Sequence, residues 1–251
     1  MKYIIFDLDD TVLYKGECSD RTLNTLEECR KLGHKIVFNT ARSKNHSFKY
    51  LEMFRPDYAI LCGGANILDK DFNTIYGAVI DVDTLNKIKN EIYPYCDGFS
   101  CEATDGMYTD TKNYKGQPNT YFDFNNDFFK DCYKIVLNCK DFAKIEEISL
   151  KYDLEHTHYL GGTWHRLTKR NITKWSGVEK LIELTNGDLK DTICFGDDIG
   201  DLEMILKAGI GVALKNSMPD VLSKAPIISE YSVEEDGVAR FLEREILKWN
   251  K

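Results

Sequence analysis

The sequence predicts an α/β protein with a parallel-sheet core and a smaller α+β domain inserted into it. Short apolar strands alternate with amphipathic helices near both ends of the 251-residue chain, a pattern typical of a parallel sheet. Between the two ends, the pattern changes to one helix followed by alternating strands that suggest hairpins. We therefore expect the core to comprise residues 1–80 and 171–251, and the inserted domain to comprise residues 81–170.

The first predicted element is a strand over residues 3–6, a continuous apolar run that ends in an acidic cluster. Such a run is typical of a buried parallel strand. This strand would carry Asp7 at its carboxyl end, which is where open α/β sheets bind ligands. The other elements predicted in this segment are a helix from Ser19 or Asp20 to Leu32 that stops at Gly33, a strand over 35–38 ending at Asn39-Thr40, and a strand over 58–61 ending at Gly63-Gly64.

The same signals predict the elements of the rest of the chain. In the inserted domain they are a helix with an apolar face (Val82, Leu85, Ile88 and Ile92), a loop over 111–127 and a hairpin turn at Gly161-Gly162. In the second core segment they are a helix over 174–184, a strand over 192–195, a helix over 202–207, a strand over 211–214 and a last helix after Asp236.

Composition limits the possible partners and compartments. The formal net charge of −8 would repel a nucleic-acid backbone, and no basic cluster interleaved with aromatic residues offsets it. No apolar run approaches the roughly 18 residues of a membrane span, and the start of the chain lacks the features of a secretory signal, so a cytoplasmic protein is expected. The eight cysteines form no C-x-x-C pair, so we expect neither disulfides nor zinc.

Two carboxylates stand two residues apart where the chain leaves the first strand, in the segment Asp7-Leu8-Asp9-Asp10-Thr11. A carboxylate attacks phosphorus only if a divalent cation offsets the charge of both groups, so a nucleophilic Asp7 would require such a cation. Asp9 would then be available to protonate a leaving group and later to activate water. The alternative interpretation is an acidic turn or a helix cap, which Asp and Thr also favour.

A second acidic cluster, GDDIGD over residues 196–201, follows another predicted buried strand. It could bring Asp197 beside Asp7 across the sheet, and oxygen ligands of this kind suit Mg²⁺. Thr40, at the end of the second strand, could donate to a phosphoryl oxygen, and Lys174 could neutralise a phosphate. Taken singly, these residues also fit ordinary roles as turns, helix caps or solvated charges.

Taken together, these motifs resemble in order and spacing the four motifs of the haloacid dehalogenase superfamily, and most closely those of the Cof-type phosphatases. The matching residues are Asp7-x-Asp9-x-Thr11, Thr40, Lys174 and Gly196-Asp197-x-x-x-Asp201. Further similar segments are Gly64-Ala65-Asn66-Ile67, Ala213-Leu214-Lys215-Asn216 and Glu235-Asp236-Gly237-Val238-Ala239. The resemblance covers both core segments and implies a Rossmann-like core with an α/β cap inserted between the second and third motifs.

The resemblance also implies a reaction and a metal. It implies a Mg²⁺-dependent phosphatase in which Asp7 is the nucleophile and a metal ligand. Asp9 would be the acid and base, and a ligand through its backbone carbonyl, while Asp197 would complete the protein ligands. The implied partner is a small phosphorylated metabolite, either a sugar phosphate or a phosphorylated cofactor or vitamin, and a monomer or weak homo-oligomer is expected.

Four further roles follow from the same resemblance. Asp201 would hold a metal-bound water or Lys174, and Thr40 and Lys174 would bind the phosphate, with the Ala41 N–H as a further donor. Ala41, Gly63 and Gly200 stand where the family commonly has Gly, Asn and Asn. The two missing amides place rate and specificity in question, because such groups contact substrate or order the metal's surroundings.

Two other functions remain open at this point. A phosphomutase of the phosphomannomutase-like type shares the core, and a catalytically silent phosphate-binding protein would use the same scaffold. Isomerised product in place of free phosphate would indicate the mutase. Histidines and aromatic residues of the predicted cap strands are interpreted as packing residues and not as a metal or substrate site; they are Tyr108, His156, His158, Trp164 and His165.

Overall fold

The computed structural model describes residues 1–111, 119–158 and 162–248. The strands, in chain order, are β1 (Tyr3–Phe6), β2 (Lys35–Asn39), β3 (Tyr58–Leu61), β4 (Asn66–Asp69), β5 (Thr74–Gly77), β6 (Cys96–Ala103), β7 (Gly106–Thr109), β8 (Thr120–Tyr121), β9 (Cys132–Cys139), β10 (Leu154–His158), β11 (Trp164–Lys169), β12 (Thr192–Gly196), β13 (Ile210–Ala213) and β14 (Ile227–Ile228).

The α-helices are α1 (Asp20–Lys31), α2 (Lys44–Phe54), α3 (Val82–Ile92), α4 (Phe142–Lys151), α5 (Lys174–Leu184), α6 (Ile199–Lys207), α7 (Pro219–Leu222) and α8 (Gly237–Leu242). Short 3₁₀ turns cover Tyr93–Tyr95, Leu189–Asp191 and Val233–Glu235, and a π-helical turn covers Glu243–Leu247. The chain forms two compact units: the first comprises Met1–Ala41, Tyr50–Ile75 and Thr173–Lys251, and the second comprises Arg42–Lys49 and Tyr76–Ile172.

The first unit is built on an eight-stranded sheet in the order β14-β13-β12-β1-β2-β3-β4-β5. The pairs from β14 to β3 are parallel, and β4 is antiparallel to β3. β1 is buried throughout and lies between β12 and β2, so the strand order runs in opposite directions on its two sides. Open parallel sheets bind ligands at such a point, outside the carboxyl ends of the strands. The predicted fold class is confirmed.

Local sequence signals account for the ends of the two long helices of this unit. The Ser19 side chain caps α1 by accepting from the Thr22 N–H, and Gly33 follows the helix, as predicted. α5 also has the predicted bounds. Its N-terminus is fixed by a reciprocal capping box between Thr173 and Ser176, which satisfies backbone donors that the helix itself leaves unpaired.

The second unit is a six-stranded sheet in the order β10-β11-β9-β6-β7-β8, with α3 and α4 packed on one face. The predicted apolar face of α3 is largely confirmed, because Leu85, Ile88 and Ile92 are fully buried while Val82 is half-buried. Ile145 of α4 joins them in a core that includes alternate residues of the central strands. This alternation leaves the other face of the sheet with a different, more polar set of side chains.

Several predicted boundaries need correction. The segment 111–127 is not all loop, because β8 pairs in parallel with β7; its two exposed residues carry no apolar alternation that the sequence could reveal. Residues 112–118 and the first glycine of the predicted Gly161-Gly162 turn lie outside the described residues. α6 begins at Ile199 and not at Leu202, because the Asp198 side chain caps it. The helices α2, α4 and α7 and the strands β4, β5 and β14 were not predicted.

All eight cysteines are free, as expected. Within the described parts of the chain, we find no helix with the length and apolar character needed to cross a membrane.

The second unit contains a linked histidine pair that should make its stability sensitive to acid. The ring nitrogens of His156 (Nε2) and His165 (Nδ1) lie 2.9 Å apart, and His165 Nε2 lies 3.1 Å from the Cys139 carbonyl oxygen. His165 therefore donates to the carbonyl and accepts from His156, an arrangement that holds only while His165 is neutral. Burial is the main cause that lowers the pKa of both imidazoles.

The unfolded histidines have pKa values of about 6.5, so on acidification they take up protons before the folded ones do. The pair therefore stabilises the fold above about pH 6.5, and this stabilisation is lost as pH falls below that value. We expect His165→Gln to show a smaller loss of unfolding free energy between pH 7.5 and pH 5.5 than the wild type. NMR titration should show a His165 pKa below the ordinary value. Equal pH dependence in the two proteins would contradict this assignment.

Candidate active site

The carboxyl ends of β1 and β12 bring two acidic segments together in the first unit. Asp7 directly follows β1, and its backbone N–H donates to the Phe195 carbonyl of β12 at 3.1 Å. Asp197 directly follows β12. Carboxylate oxygens of Asp7, Asp197 and Asp201 all lie within 4.8 Å of one another. Segments far apart in sequence therefore form one acidic cluster at the point where the strand order reverses.

Lys174, the first residue of α5, places its ammonium group between two of these carboxylates. Its Nζ lies 2.9 Å from Asp7 Oδ1 and 2.6 Å from Asp201 Oδ1, and the lysine is only 7% exposed. Burial acts to lower the pKa of Lys174, but Asp201 and Asp7 outweigh it and raise the pKa above the ordinary value. The lysine is therefore a fixed positive charge and not a solvated surface group.

Asp201 is fully buried, and the described contacts engage both of its oxygens. Oδ1 accepts from Lys174, while Oδ2 accepts the backbone N–H groups of Asp197 at 3.1 Å and Asp198 at 3.2 Å. Asp201 is the third residue of α6. A Cβ added at Gly196 would lie 2.3 Å from the Cβ of Asp201. Only glycine at position 196 leaves room for the Asp201 side chain to fold back against the end of β12.

Two residues outside the predicted set hold the start of α5 in place. The Asn39 amide donates to the Lys174 carbonyl at 2.8 Å. A Cβ at Gly64 would lie 2.1 Å from the Thr173 carbonyl oxygen, and Gly64 has a φ of +109°. The turn after β3 therefore packs directly against this helix N-terminus. A buried Asn at the end of an apolar strand was the one sequence signal that could have identified Asn39.

Thr11, the last residue of the first motif, orients Asp197. Its hydroxyl donates to Asp197 Oδ1 at 2.6 Å, and the threonine is 1% exposed. Burial raises the pKa of Asp197 to about 7, and the Thr11 hydrogen bond opposes that rise. Burial likewise raises the pKa of Asp7 to about 6, against the charge of Lys174. Both carboxyl groups thus lie in surroundings that penalise their negative charge.

The remaining predicted residues lie at the same edge of the sheet. Asp9, two residues beyond Asp7, has an exposed side chain. Thr40 follows β2, the neighbour of β1, and is 1% exposed; its N–H donates to the Ile60 carbonyl and its carbonyl accepts from Gly63, both at 2.9 Å. Ala41 follows it and is half-buried. The backbone at Thr40 is thus fixed between two strands, while the Asp9 side chain is accessible to solvent.

This acidic cluster fits a hard divalent cation. Three carboxylates surround one ammonium group, which leaves a formal excess of two negative charges in a largely buried space. The raised pKa values of Asp7 and Asp197 have the same main cause, which is burial of the carboxyl groups away from water. Because Asp201 already engages both oxygens, Asp7 and Asp197 are the side chains that could hold the ion. All the donors are oxygen atoms, as Mg²⁺ prefers.

Comparison with known proteins gives matches over nearly the whole chain. A family model described as haloacid dehalogenase-like hydrolase matches residues 4–242. The 5-amino-6-(5-phospho-D-ribitylamino)uracil phosphatase YitU of Bacillus subtilis is 23% identical over 260 residues, covering 95% of this chain and 95% of that protein. Phosphatase YwpJ of the same organism is 24% identical over 294 residues, covering 96% and 99%.

A solved structure has the same fold. The haloacid dehalogenase-like hydrolase from Bacteroides thetaiotaomicron superposes with a TM-score of 0.84 at 21% identity, covering 97% of this chain and 98% of that one.

The acidic cluster predicts that Mg²⁺ stabilises the folded protein. A ligand that binds only the folded state raises the melting temperature in proportion to the logarithm of its concentration. We expect a concentration-dependent increase in the wild type and little or none in Asp197→Asn, measured by differential scanning fluorimetry with MgCl₂ against chelator. Asp10→Asn is the matched control, because Asp10 is exposed in the same loop as Asp9. An equal Mg²⁺-dependent rise in melting temperature in Asp197→Asn and Asp10→Asn would contradict a metal site at Asp197.

Removal of the buried ammonium should destabilise the first unit. Lys174→Met leaves Asp7 and Asp201 buried without their counter-charge, which typically costs about 3–5 kcal/mol of unfolding free energy. Without the lysine, the folded pKa values of these carboxyls rise further above their unfolded values of about 3.9, so stability is retained at low pH and lost as pH rises through the folded pKa.

We therefore expect Lys174→Met to lose more unfolding free energy at pH 8 than at pH 5.5. These two pH values lie on either side of about 6, the pKa to which burial raises Asp7. Urea unfolding in chelator at the two pH values measures it. Lys180→Met on the same helix removes a partly exposed contact with Glu183 and should cost less than about 1 kcal/mol. Equal losses in the two variants would show that the ammonium group is not a structural counter-charge.

Proposed function

Since the chain belongs to the haloacid dehalogenase-like hydrolase family, we propose that it is a Mg²⁺-dependent phosphatase that hydrolyses a small phosphomonoester through an aspartyl-phosphate on Asp7. The observation that carries the proposal is the Asp7 carboxylate, buried at the end of β1 and held 2.9 Å from the Lys174 ammonium beside Asp197. A carboxylate in this position can be ionised, oriented and charge-compensated at the same time, as a nucleophile for phosphorus must be.

In the first half-reaction, a carboxylate oxygen of Asp7 attacks phosphorus and the bond from phosphorus to the ester oxygen breaks. The leaving oxygen takes a proton from the carboxylic acid of Asp9, so the free alcohol departs and Asp7 carries the phosphoryl group. Asp9 suits this role because its side chain is exposed and so within reach of a substrate. Lys174 supports the step by holding one Asp7 oxygen, which leaves the other oxygen to attack.

In the second half-reaction, the Asp9 carboxylate takes a proton from a water molecule whose oxygen attacks the phosphorus of the aspartyl-phosphate. The bond from phosphorus to the Asp7 oxygen breaks, so inorganic phosphate is released and the Asp7 carboxylate is free again. One residue thus acts as acid and then as base. Mg²⁺, held by Asp7, Asp197 and the Asp9 backbone carbonyl, would supply compensation for the charge of the phosphoryl oxygens.

The phosphate would be bound by groups at the neighbouring strand end. We assign the Thr40 hydroxyl, the Ala41 N–H and the Lys174 ammonium to its oxygens. Support for this comes from the backbone contacts that fix Thr40 between β2 and β3, and from the burial of Lys174. Asp201 would position Lys174 and the N–H groups that follow β12, because it already contacts them. Donors that are fixed before the substrate arrives need no reorganisation during the reaction.

The substrate class proposed is a small organic phosphate. Relatives that match nearly their whole length to this chain are named phosphatases, and one acts on a phosphorylated ribitylaminouracil. A sugar phosphate or a phosphorylated cofactor or vitamin precursor is therefore the class to search first. The excess negative charge of the chain does not exclude an anionic substrate, since salt screens charge beyond about 8–10 Å.

The proposal is tested by phosphate release from para-nitrophenyl phosphate and a panel of phosphorylated metabolites, with Mg²⁺ or with chelator. We expect Mg²⁺-dependent release by the wild type and at least about a thousandfold lower release by Asp7→Asn, because an amide is a poor nucleophile toward phosphorus. Asp9→Asn should lose at least about a hundredfold, the usual scale of general acid–base catalysis. Asp10→Asn should keep wild-type activity.

Trapping distinguishes the mechanism from direct attack by water. Brief incubation with a ³²P-labelled substrate should label the wild-type protein, and peptide mapping should locate the label on Asp7. Turnover by Asp7→Asn at the wild-type rate would overturn the covalent mechanism. Isomerised phosphorylated product without free phosphate would indicate a phosphomutase, and Mg²⁺ binding without any turnover would indicate a silent phosphate-binding protein.

A further inference from the structure

Two cysteines of the second unit face each other across neighbouring strands. Cys96 is the first residue of β6, Cys139 is the last residue of β9, and the antiparallel register pairs them directly. The register shifts between Cys96 and Gly98, so a bulge follows the pair. The two thiol groups are within hydrogen-bonding distance of each other. Their sulfur atoms therefore already lie side by side in the folded unit.

The backbone contacts show which kind of cross-strand pair this is. The Cys139 N–H donates to the Thr163 carbonyl at 2.8 Å, on the side of β11, and the Cys96 N–H donates to the Tyr93 carbonyl. Neither N–H is thus used between the two cysteines, which identifies a non-hydrogen-bonded pair. The Cα atoms of such a pair lie about 4.5 Å apart, and a disulfide needs about 4.4–6.8 Å. A disulfide therefore fits between Cys96 and Cys139 without separation of the strands.

The surroundings of the two thiols favour a dithiol over a metal site. Cys96 Sγ lies 3.3 Å from the Ile92 carbonyl oxygen, and Cys139 Sγ lies 3.3 Å from the Tyr95 carbonyl oxygen. Thiols are weak donors, so the loss of these contacts on oxidation costs little. In the described part of the chain, no group of three potential metal ligands includes these cysteines, whereas a zinc site uses three or four protein ligands.

The two thiols differ in their access to solvent. Cys96 is half-buried, whereas Cys139 is fully buried. A small reagent can therefore reach Cys96 first while Cys139 stays protected. Burial raises the pKa of Cys96, and the neighbouring Cys139 adds to the rise. The reactive thiolate of Cys96 is thus scarce at neutral pH, and its reactions should be slow there and faster in mild alkali.

We propose that Cys96 and Cys139 are a redox modification site, at which a low-molecular-weight disulfide such as oxidised glutathione converts the dithiol into a cross-strand disulfide. The Cys96 thiolate attacks one sulfur of the small disulfide, which forms a mixed disulfide and releases one thiolate. Cys139 then loses its proton to solvent, and its sulfur attacks the Cys96 sulfur and displaces the second small thiolate. The two protein thiols are oxidised, and the small disulfide is reduced to two thiols.

The disulfide would join the start of β6 to the end of β9. It would close the chain from 96 to 139 into a loop, which restricts the unfolded state and raises the melting temperature. The expected Cα distance lies at the short end of the disulfide range, where strain makes the bond easier to reduce, so the modification should be reversible. Both cysteines belong to the second unit, and the proposal does not rest on the phosphatase activity proposed for the first unit.

Non-reducing peptide mapping tests the proposal. The wild-type protein is incubated at pH 8.5 with oxidised glutathione, the remaining thiols are blocked with N-ethylmaleimide, and disulfide-linked peptides are identified by mass spectrometry. We expect a peptide that links Cys96 to Cys139 in most molecules, and we expect reduced glutathione to remove the link. The oxidised protein should melt at least about 5 °C higher than the reduced protein.

Two serine variants separate the roles of the two thiols. Cys139→Ser should accumulate glutathione on Cys96, because no second thiol displaces it, whereas Cys96→Ser should leave the buried Cys139 unmodified. Serine is close in size to cysteine, and the melting temperature of each reduced variant is checked first. Cys18, which is half-buried like Cys96, is the matched control within the wild type and should form no link to another cysteine of the chain.

Three results would overturn the proposal. The first is wild-type protein that carries glutathione on Cys96 without a link to Cys139, because the two sulfur atoms would then not meet in the folded protein. The second is a link that forms only after unfolding in urea. The third is a set of linked peptides in which other cysteines are joined as often as this pair.

Discussion

The ion pairs of Lys174 with Asp7 and Asp201 are the interaction on which the rest of the first unit depends. A buried carboxylate and a buried ammonium are each costly alone, so the three groups must form together. The contacts that bring them together come from several segments: Asn39 and the turn at Gly64 hold the start of α5, and Asp201 is held by the N–H groups after β12. The first unit is therefore organised around this buried cluster of charges.

The position of this cluster follows from the strand order. Because β1 lies between β12 and β2, the strand order reverses at β1, and open parallel sheets bind ligands outside the carboxyl ends of the strands at such a point. Asp7 and Asp197 stand at those two ends. Asp7 and Asp197 are 190 positions apart in sequence, and the parallel pairing of β1 with β12 is enough to bring them close together.

The sequence predicted the parts of the molecule that depend on local patterns. The buried strands, the start of α1, the bounds of α5 and the acidic segments after β1 and β12 all have signals within a few residues. Packing contacts between distant segments that leave no local signal could not be predicted in this way. Nothing near Gly196 reveals that its missing Cβ accommodates Asp201, and nothing near β8 reveals that β7 will pair with it.

The two carboxylates of the first motif lie in different surroundings, and this difference suits the two roles proposed for them. Asp7 stands at the end of a fully buried strand and is 6% exposed, whereas Asp9 stands two residues further on, where the chain has left the sheet and is exposed. Desolvation therefore acts on Asp7, whose charge Lys174 compensates, and not on Asp9, to which we assign the proton transfers. The reverse arrangement would bury the proposed proton-transfer group and leave the proposed nucleophile hydrated. Because the chain passes from the sheet to solvent within two residues, this one segment offers both a buried and an exposed carboxylate.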